Sequence, residues 1–250
     1  MEKDDFFIKR IRELANLSYR RDIATFSDFL NLSEQSIVKA QASSFPGTVT
    51  SYFGGYEQAE RVIASFCPCD SGYDLEYPIQ CLKIEPKALK FSEALTHRDY
   101  LGAVLNLGVD RGVIGDILIQ EHTAWIFCHS RIADFLLDNL TRVRHTSVRA
   151  SLTKGPQELP EIQFSPVSGT CSSVRLDALI ALAFRESRSS MAPLIGGGQV
   201  FVNGKLITSN GYEPKEGEII SVRGKGRFIF EGVSGKTKKG RISVRLLRYQ

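Results

Sequence analysis

The chain is poor in cysteine. It has five, an odd number without the spacing of a disulfide framework. That fits a reducing cytoplasm and excludes a disulfide-stapled secreted scaffold. Long apolar runs are missing too: no stretch approaches the roughly 18–20 residues of a membrane span. The acidic start Met1-Glu2-Lys3-Asp4-Asp5 lacks the basic end and apolar core of a signal peptide. There is no internal repeat and no low-complexity segment. With 42% hydrophobic residues, the 250-residue chain has ample material for two or three domain cores.

Catalytic and metal-binding signatures are also lacking. Gly235-Lys236-Thr237 has the end of a phosphate-binding loop, but Phe230 stands where the first glycine belongs. His97-Arg98-Asp99 has the look of a kinase catalytic loop, but Val104 occupies the metal-binding asparagine position. Arg175-Leu176-Asp177 echoes the motif around the nucleophile of pseudouridine synthases, but only 73 residues follow it. Cys67-Pro68-Cys69 has one residue between its thiols and no second pair nearby, so it reads as a turn with two partly buried thiols. The four histidines (His97, His122, His129, His145) are scattered. The expectation is a chain with no catalytic residue, no metal and no cofactor.

What is present is an uneven charge. From Cys171 to Gln250 there are 14 Lys+Arg against 6 Asp+Glu, a net of +8, whereas residues 1–170 carry 18 basic and 22 acidic residues. An acidic body is joined to a basic module. Concentrated positive charge on a small domain is the footprint of a nucleic-acid binder, because each neutralised phosphate releases counterions.

Within the basic module, Leu176, Leu179, Ile180, Ala183 and Phe184 fall at i, i+3, i+4, i+7 and i+8, one face of a helix. Ser173 is its expected N-cap, with Asp177 in the first turn. After a break at residues 185–187, Ser187 caps a second helix running to Ile195. Pro193 limits it to one or two turns, and Gly196-Gly197-Gly198 ends it. Val200–Val202 alternates into Asn203-Gly204, a strong hairpin signal. Strands are expected at Ile219–Val222, Arg227–Phe230 and Arg241–Leu247, with a loop at residues 236–240.

Two short helices on a small bent sheet, with Arg175-Leu176-Asp177, Ser187-Arg188-Ser189, Leu194-Ile195, Gly198, Val202-Asn203-Gly204 and Gly217-Glu218 in this order, resemble the alpha-L RNA-binding domain. That domain is named after ribosomal small-subunit protein S four. The resemblance covers about a quarter of the chain and implies that the helices present a basic face to folded RNA. Arginine suits this task because its planar fork fits phosphate oxygens and stacks on bases. The expected RNA contacts are Arg175, Arg185, Ser187, Arg188, Ser189 and Lys205, followed by Lys225 and Arg227. Asp177, Gly198, Asn203 and Gly204 are expected to be structural. An alternative stands for Arg175 and Arg188: each pairs with Asp177 and holds the two helices together. A further basic run, Lys236, Lys238, Lys239, Arg241, Arg245 and Arg248, is either a backbone-tracking surface or a solvated sheet face.

The body reads as α+β. Residues 3–45 read as helices, with Phe6, Phe7, Ile11, Leu14 and Leu17 in helical spacing, then Phe26, Phe29 and Leu30, then Ser33–Ala42. Val49–Phe53 and Tyr56–Ser65 follow around a Gly54-Gly55 turn. From residue 76 the order is strand (Ile79–Ile84), helix (His97–Leu107), hairpin (Gly112–Gln120 with Thr123–Cys128), helix (Ile132–Leu140) and strand (Ser147–Leu152). This is the βαββαβ order of ferredoxin-like and RNA-recognition folds. Trp125 and Phe127 share one face, as base-stacking or core residues. Arg142, Arg144 and Arg149 form a local basic cluster. The expected organisation is an N-terminal α/β region (1–75), an RNA-recognition-like domain (76–160), a Pro/Gly/Ser-rich boundary (153–170) with a short strand at 161–167, and the alpha-L domain (171–250).

The whole order is similar to the YlmH-type bacterial RNA-binding proteins. The matching pieces are His97-Arg98-Asp99-Tyr100-Leu101-Gly102, Asn106-Leu107-Gly108-Val109-Asp110-Arg111 and Ile114-Gly115-Asp116-Ile117. Locally, Arg111 is a candidate partner of Asp116. The resemblance implies binding of rRNA and tRNA on the large ribosomal subunit, beside a peptidyl-tRNA, in ribosome-associated quality control. The acidic body is also compatible with docking of a translation or quality-control factor, the basic module then being only an anchor. The competing reading is an RNA-modifying enzyme whose C-terminal module delivers RNA to a catalytic body.

Overall fold

The computed structural model describes residues 2–45, 47–68, 75–161, 163–238 and 240–249. Two compact units divide the chain between Pro160 and Glu161.

The first unit contains two sheets. It opens with α1 (Glu2–Arg21), β1 (Thr25–Leu30), α2 (Leu32–Gln41), β2 (Thr48–Phe53) and β3 (Val62–Pro68), the strands pairing antiparallel in the order β1-β3-β2. Asn31 starts α2 through a reciprocal cap: its side chain takes the Glu34 N–H, and the Glu34 carboxylate takes the Asn31 N–H at 2.8 Å. The expected helical continuation at Phe26–Leu30 is strand β1 instead. Its inward face begins with Thr25 and Ser27, both buried, so the alternation does not show as hydrophobicity. Each hydroxyl is satisfied: Thr25 donates to the Leu14 carbonyl, and Ser27 accepts the Ala64 N–H, both at 2.9 Å. Cys69 lies outside the described residues, while Cys67 is buried near the end of β3.

Next come β4 (Ile79–Pro86), α3 (His97–Asn106), β5 (Ile114–Gln120), β6 (Thr123–His129), α4 (Ala133–Asn139), β7 (Arg142–Val143) and β8 (Thr146–Leu152). The sheet order β5-β6-β4-β8-β7 puts the first and third long strands at the centre, as a βαββαβ fold requires. Leu82, Ile84, Ile126, Tyr100, Val104 and Leu136 are buried together between sheet and helices. Trp125 and Phe127 are both core, with Phe127 stacked against Tyr56 at 5.0 Å, so neither ring is open to a base.

One partly buried network ties this five-stranded sheet to the N-terminal one. Asp116 accepts hydrogen bonds from the Tyr56 hydroxyl (2.8 Å) and from the N–H groups of Glu60 (2.7 Å) and Arg61 (3.2 Å). Arg61 reaches across to the carbonyls of Phe29 and Ile114. The expected Arg111–Asp116 pair does not form. Arg111 donates to the carbonyls of Ile114 and Gly115 instead, because the backbone of Arg61 already occupies the carboxylate. Burial first, then the neighbouring Arg61, lowers the Arg111 pKa to about 10. Gly115 must lack a side chain here: a Cβ would come within 2.7 Å of the Phe29 ring. The boundary expected near residue 75 thus separates two sheets of one compact unit.

The second unit comprises β9 (Phe164–Cys171), α5 (Leu176–Phe184), α6 (Arg188–Gly196), β10 (Val200–Val202), β11 (Lys205–Leu206), β12 (Ile219–Val222), β13 (Gly226–Lys236) and β14 (Ile242–Tyr249). Its sheet runs β11-β10-β12-β13-β14-β9. Leu176, Leu179, Ile180 and Ala183 are completely buried against Val200, Ile220, Phe228 and Leu246. Each large side chain so buried contributes roughly 1.5–3 kcal/mol of transfer free energy. Two expectations are corrected. The short strand expected at 161–167 within the boundary runs instead over Phe164–Cys171 as β9, an edge strand along which Pro166 pairs with Leu247; an edge tolerates the missing proline donor. The strand expected at Arg227–Phe230 is also longer: β13 runs from Gly226 to Lys236, the first residue of the expected loop.

Candidate RNA-binding surface

The helix α5 is not capped by Ser173. The N-cap is Arg175, in extended conformation without a side-chain cap, and the Leu176 N–H goes to the Tyr212 carbonyl at 2.8 Å. This shift puts Asp177 at the second helical position, 8% exposed, facing the start of α6. Arg188 donates to Asp177 Oδ2 from Nη2 (2.5 Å) and Nε (3.2 Å). Arg175 donates from Nε to Oδ1 at 3.3 Å. One carboxylate therefore clamps two guanidiniums, and both arginines remain 40–49% exposed. The alternatives left open by the sequence combine in one geometry: the arginines pair with Asp177 and still face solvent. Burial alone would raise the Asp177 carboxyl, but the hydrogen bond and charge of Arg188, aided by Arg175, hold it below its ordinary value. The three charges sum to +1, and the arginines are ordered in advance, which lowers the entropy lost on binding an anion.

The turn between the helices continues this face. Arg185 ends α5 in the left-handed region (φ 55°), letting the Glu186 N–H bond back to the Ala181 carbonyl at 2.9 Å. Its side chain is exposed and makes no hydrogen bond or ion pair among the described residues. Ser187 caps α6 by accepting the Ser190 N–H at 3.1 Å, and its hydroxyl lies 2.9 Å from that of Ser189. The helix runs through Gly196, three residues past Pro193.

A hairpin tip reaches the same turn. Arg223-Gly224-Lys225-Gly226-Arg227 links β12 to β13, with both glycines at positive φ (76° and 120°). Lys225 pairs with Glu186 at 2.8 Å, and that hydrogen bond holds the Glu186 carboxyl below its usual range. Lys225 is thus engaged with a neighbour, not left open for RNA alone. Arg223 lies over the Phe201 ring (4.9 Å) and Arg227 over Tyr249 (4.3 Å). Arg223 was not singled out in the sequence. Its signal was the alternation of basic residues with glycine in a turn.

Other expected residues stand apart. Lys205 is exposed on the edge strand β11, after the turn made by Asn203 (φ 46°) and Gly204 (φ 74°), and forms no hydrogen bond or ion pair among the described residues. Asn203 accepts the Ile219 N–H at 3.0 Å. Gly198, at φ 70°, closes the exit of α6. Of the later basic run, Arg241 is bound to Thr170 and Arg245 to Glu231, so their side chains brace the sheet. Lys239 lies outside the described residues.

Comparison with known proteins finds a family match in each of the two units. Residues 174–220 match the S4 domain, and residues 74–156 match the family described as "Putative RNA-binding domain in YlmH". Over 242 residues the chain is 31% identical to the ribosome-associated protein quality control protein P2 of Bacillus subtilis (strain 168), covering 95% of this chain and 92% of that protein. The chain belongs to the YlmH family. A solved structure, the cell division protein ylmH from Streptococcus pneumoniae, is similar with a TM-score of 0.48 and 23% identity over 64% of this chain and 92% of that one. In this YlmH-type chain the S4 match holds Arg175, Asp177, Arg185, Arg188 and Lys205, and it ends just before the Arg223–Arg227 hairpin. The chain therefore carries RNA-binding domains and is homologous to a ribosome-associated quality control protein. No described helix is long and apolar enough to cross a membrane.

Proposed function

We propose that this protein is a cytoplasmic, non-enzymatic factor that binds structured rRNA and tRNA on the large ribosomal subunit, beside a peptidyl-tRNA, in quality control of stalled translation. The observation that carries this reading is the Asp177 clamp. It holds Arg175, the N-cap of α5, and Arg188, the first residue of α6, on one carboxylate, with the open Arg185 in the turn between the helices and Lys225 of the Arg223–Arg227 hairpin paired to that turn. Phosphates dock on such fixed guanidiniums, and the free N–H groups at the start of α6 add to the same field. Homology to the ribosome-associated B. subtilis protein supports the ribosome as the place of action. The acidic body leaves room for a second factor to dock.

The test is co-sedimentation with purified large and small ribosomal subunits. The wild type should pellet with the large subunit, and Arg185→Gln/Arg223→Gln should weaken that association about tenfold or more and reduce its salt dependence. Neither residue takes part in the Asp177 clamp, so the fold should be unchanged by circular dichroism. A wild type that pellets with neither subunit would overturn the reading.

A further inference from the structure

The acidity of the body is local. In sequence, residues 40–82 hold five acidic residues (Glu57, Glu60, Asp70, Asp74 and Glu76) and one basic residue, Arg61, a net of −4. Residues 1–170, with 18 basic and 22 acidic residues, also sum to −4, so the rest of the body holds 17 of each. The guanidinium of Arg61 is turned inward, onto the carbonyls of Phe29, Arg111 and Ile114.

Two features meet in this stretch. The first is strand β2. The order β1-β3-β2 leaves it with a strand on one side only among the described residues. None of its six residues is fully buried, and Val49 is 52% and Phe53 41% exposed. It contains no charge and no proline, the usual guards of an open edge. Such an edge offers its N–H and C=O groups to an extended chain. The second feature is a pocket of about 520 Å³ lined by Phe53, Tyr77, Ile79, Cys81 and Phe127, with Glu76 its one charged lining residue among those described. Phe53 and Tyr77 meet edge to face, their ring centres 5.4 Å apart. Glu76 is exposed and makes no hydrogen bond or ion pair among the described residues. A second carboxylate, Glu158, stands near Cys81: burial pushes that thiol up to about 11, and Glu158 acts in the same direction.

Carboxylates repel phosphate, so this surface does not suit RNA. It suits a guanidinium, which stacks on aromatic rings and pairs with a carboxylate. In an extended chain every second side chain points the same way, so a strand laid along β2 can direct a basic side chain into the pocket. We infer that β2 and its pocket dock an extended basic segment of a partner protein, which adds a strand at the β2 edge and sets an arginine among Phe53, Tyr77 and Glu76. The inference rests on the reading that a second factor docks on the acidic body, and it gives that factor a place and a chemistry. The RNA surface of the second unit takes no part in it.

The test is fluorescence anisotropy of a labelled peptide of alternating arginine and valine, titrated with the full-length protein. The wild type should bind this peptide and not one of alternating glutamate and valine. Glu76→Lys and Phe53→Ala should each weaken binding about tenfold. Val49→Lys, which puts a guarding charge on the edge strand, should weaken it by about as much. Val49 and Glu76 are exposed, so these two variants should match the wild type in circular dichroism. All three variants should keep the wild-type affinity for large-subunit rRNA in filter binding. A wild type that ignores the arginine peptide, or variants that bind it as the wild type does, would overturn the inference. So would variants that keep the peptide and lose the rRNA, which would make the pocket an RNA surface. The peptide titration decides the inference whatever the wild type does with rRNA, so a failure of the RNA reading is seen separately.

Discussion

Arg188→Ala should do two things at once: lower the stability of the C-terminal unit by about 1–3 kcal/mol and reduce large-subunit binding about tenfold or more. The stability loss arises because Asp177, 8% exposed, keeps its charge but loses the donor with its two shortest contacts. The binding loss arises because a pre-positioned guanidinium has gone. The two effects separate in the double variant Asp177→Asn/Arg188→Ala. Removing the stranded charge should recover most of the stability, read by urea unfolding, and none of the binding. If the double variant binds like wild type, Arg188 is a helix brace only. The clamp also predicts an acid response. A carboxyl whose pKa is depressed on folding contributes stability above its unfolded value of about 3.9, and that contribution disappears as pH falls through the lower folded value. Asp177→Asn should therefore be less stable than wild type at neutral pH, and the difference should shrink in strong acid.

Asp116→Ala should be the most damaging change in the first unit, at about 3–5 kcal/mol. It removes three hydrogen bonds at once and leaves the N–H groups of Glu60 and Arg61 without an acceptor, where the two sheets meet. The chain's one tryptophan, Trp125, is buried in this unit, so its fluorescence follows this unfolding directly. Asp116→Asn keeps an acceptor and should cost less. A loss below about 1 kcal/mol for Asp116→Ala would show that Arg61, through its carbonyl contacts, holds the sheets together without it.

What could be read in advance depended on whether a local pattern carried the element. The helix α5 was legible because four of its five spaced apolar residues are fully buried, and the Asn203-Gly204 turn because its positive φ angles demand those residues. β1 was hidden by buried hydroxyls on its core face. β9 was legible only in its first half: the short strand expected at 161–167 covers Phe164–Val167, whereas Ser168-Gly169-Thr170 read as a linker and the partner β14 lies 71–85 residues away in sequence. The site shows the same limit. Arginines two and eleven residues from Asp177 are suggestive in sequence, but only the helix–helix packing shows that one carboxylate serves both. Lys225 meets Glu186 in the α5–α6 turn and Arg223 meets Phe201 through tertiary contacts, which no local spacing encodes.

The most direct test of the central claim is ultraviolet crosslinking of the wild-type protein bound to purified large ribosomal subunits, with the crosslinked peptides identified by mass spectrometry. Nucleotide adducts should fall on peptides from 175–189 and 223–227, where the clamp, the α5–α6 turn and the basic hairpin lie. Adducts confined to residues 1–160, or crosslinks to ribosomal protein with none to RNA, would contradict the account.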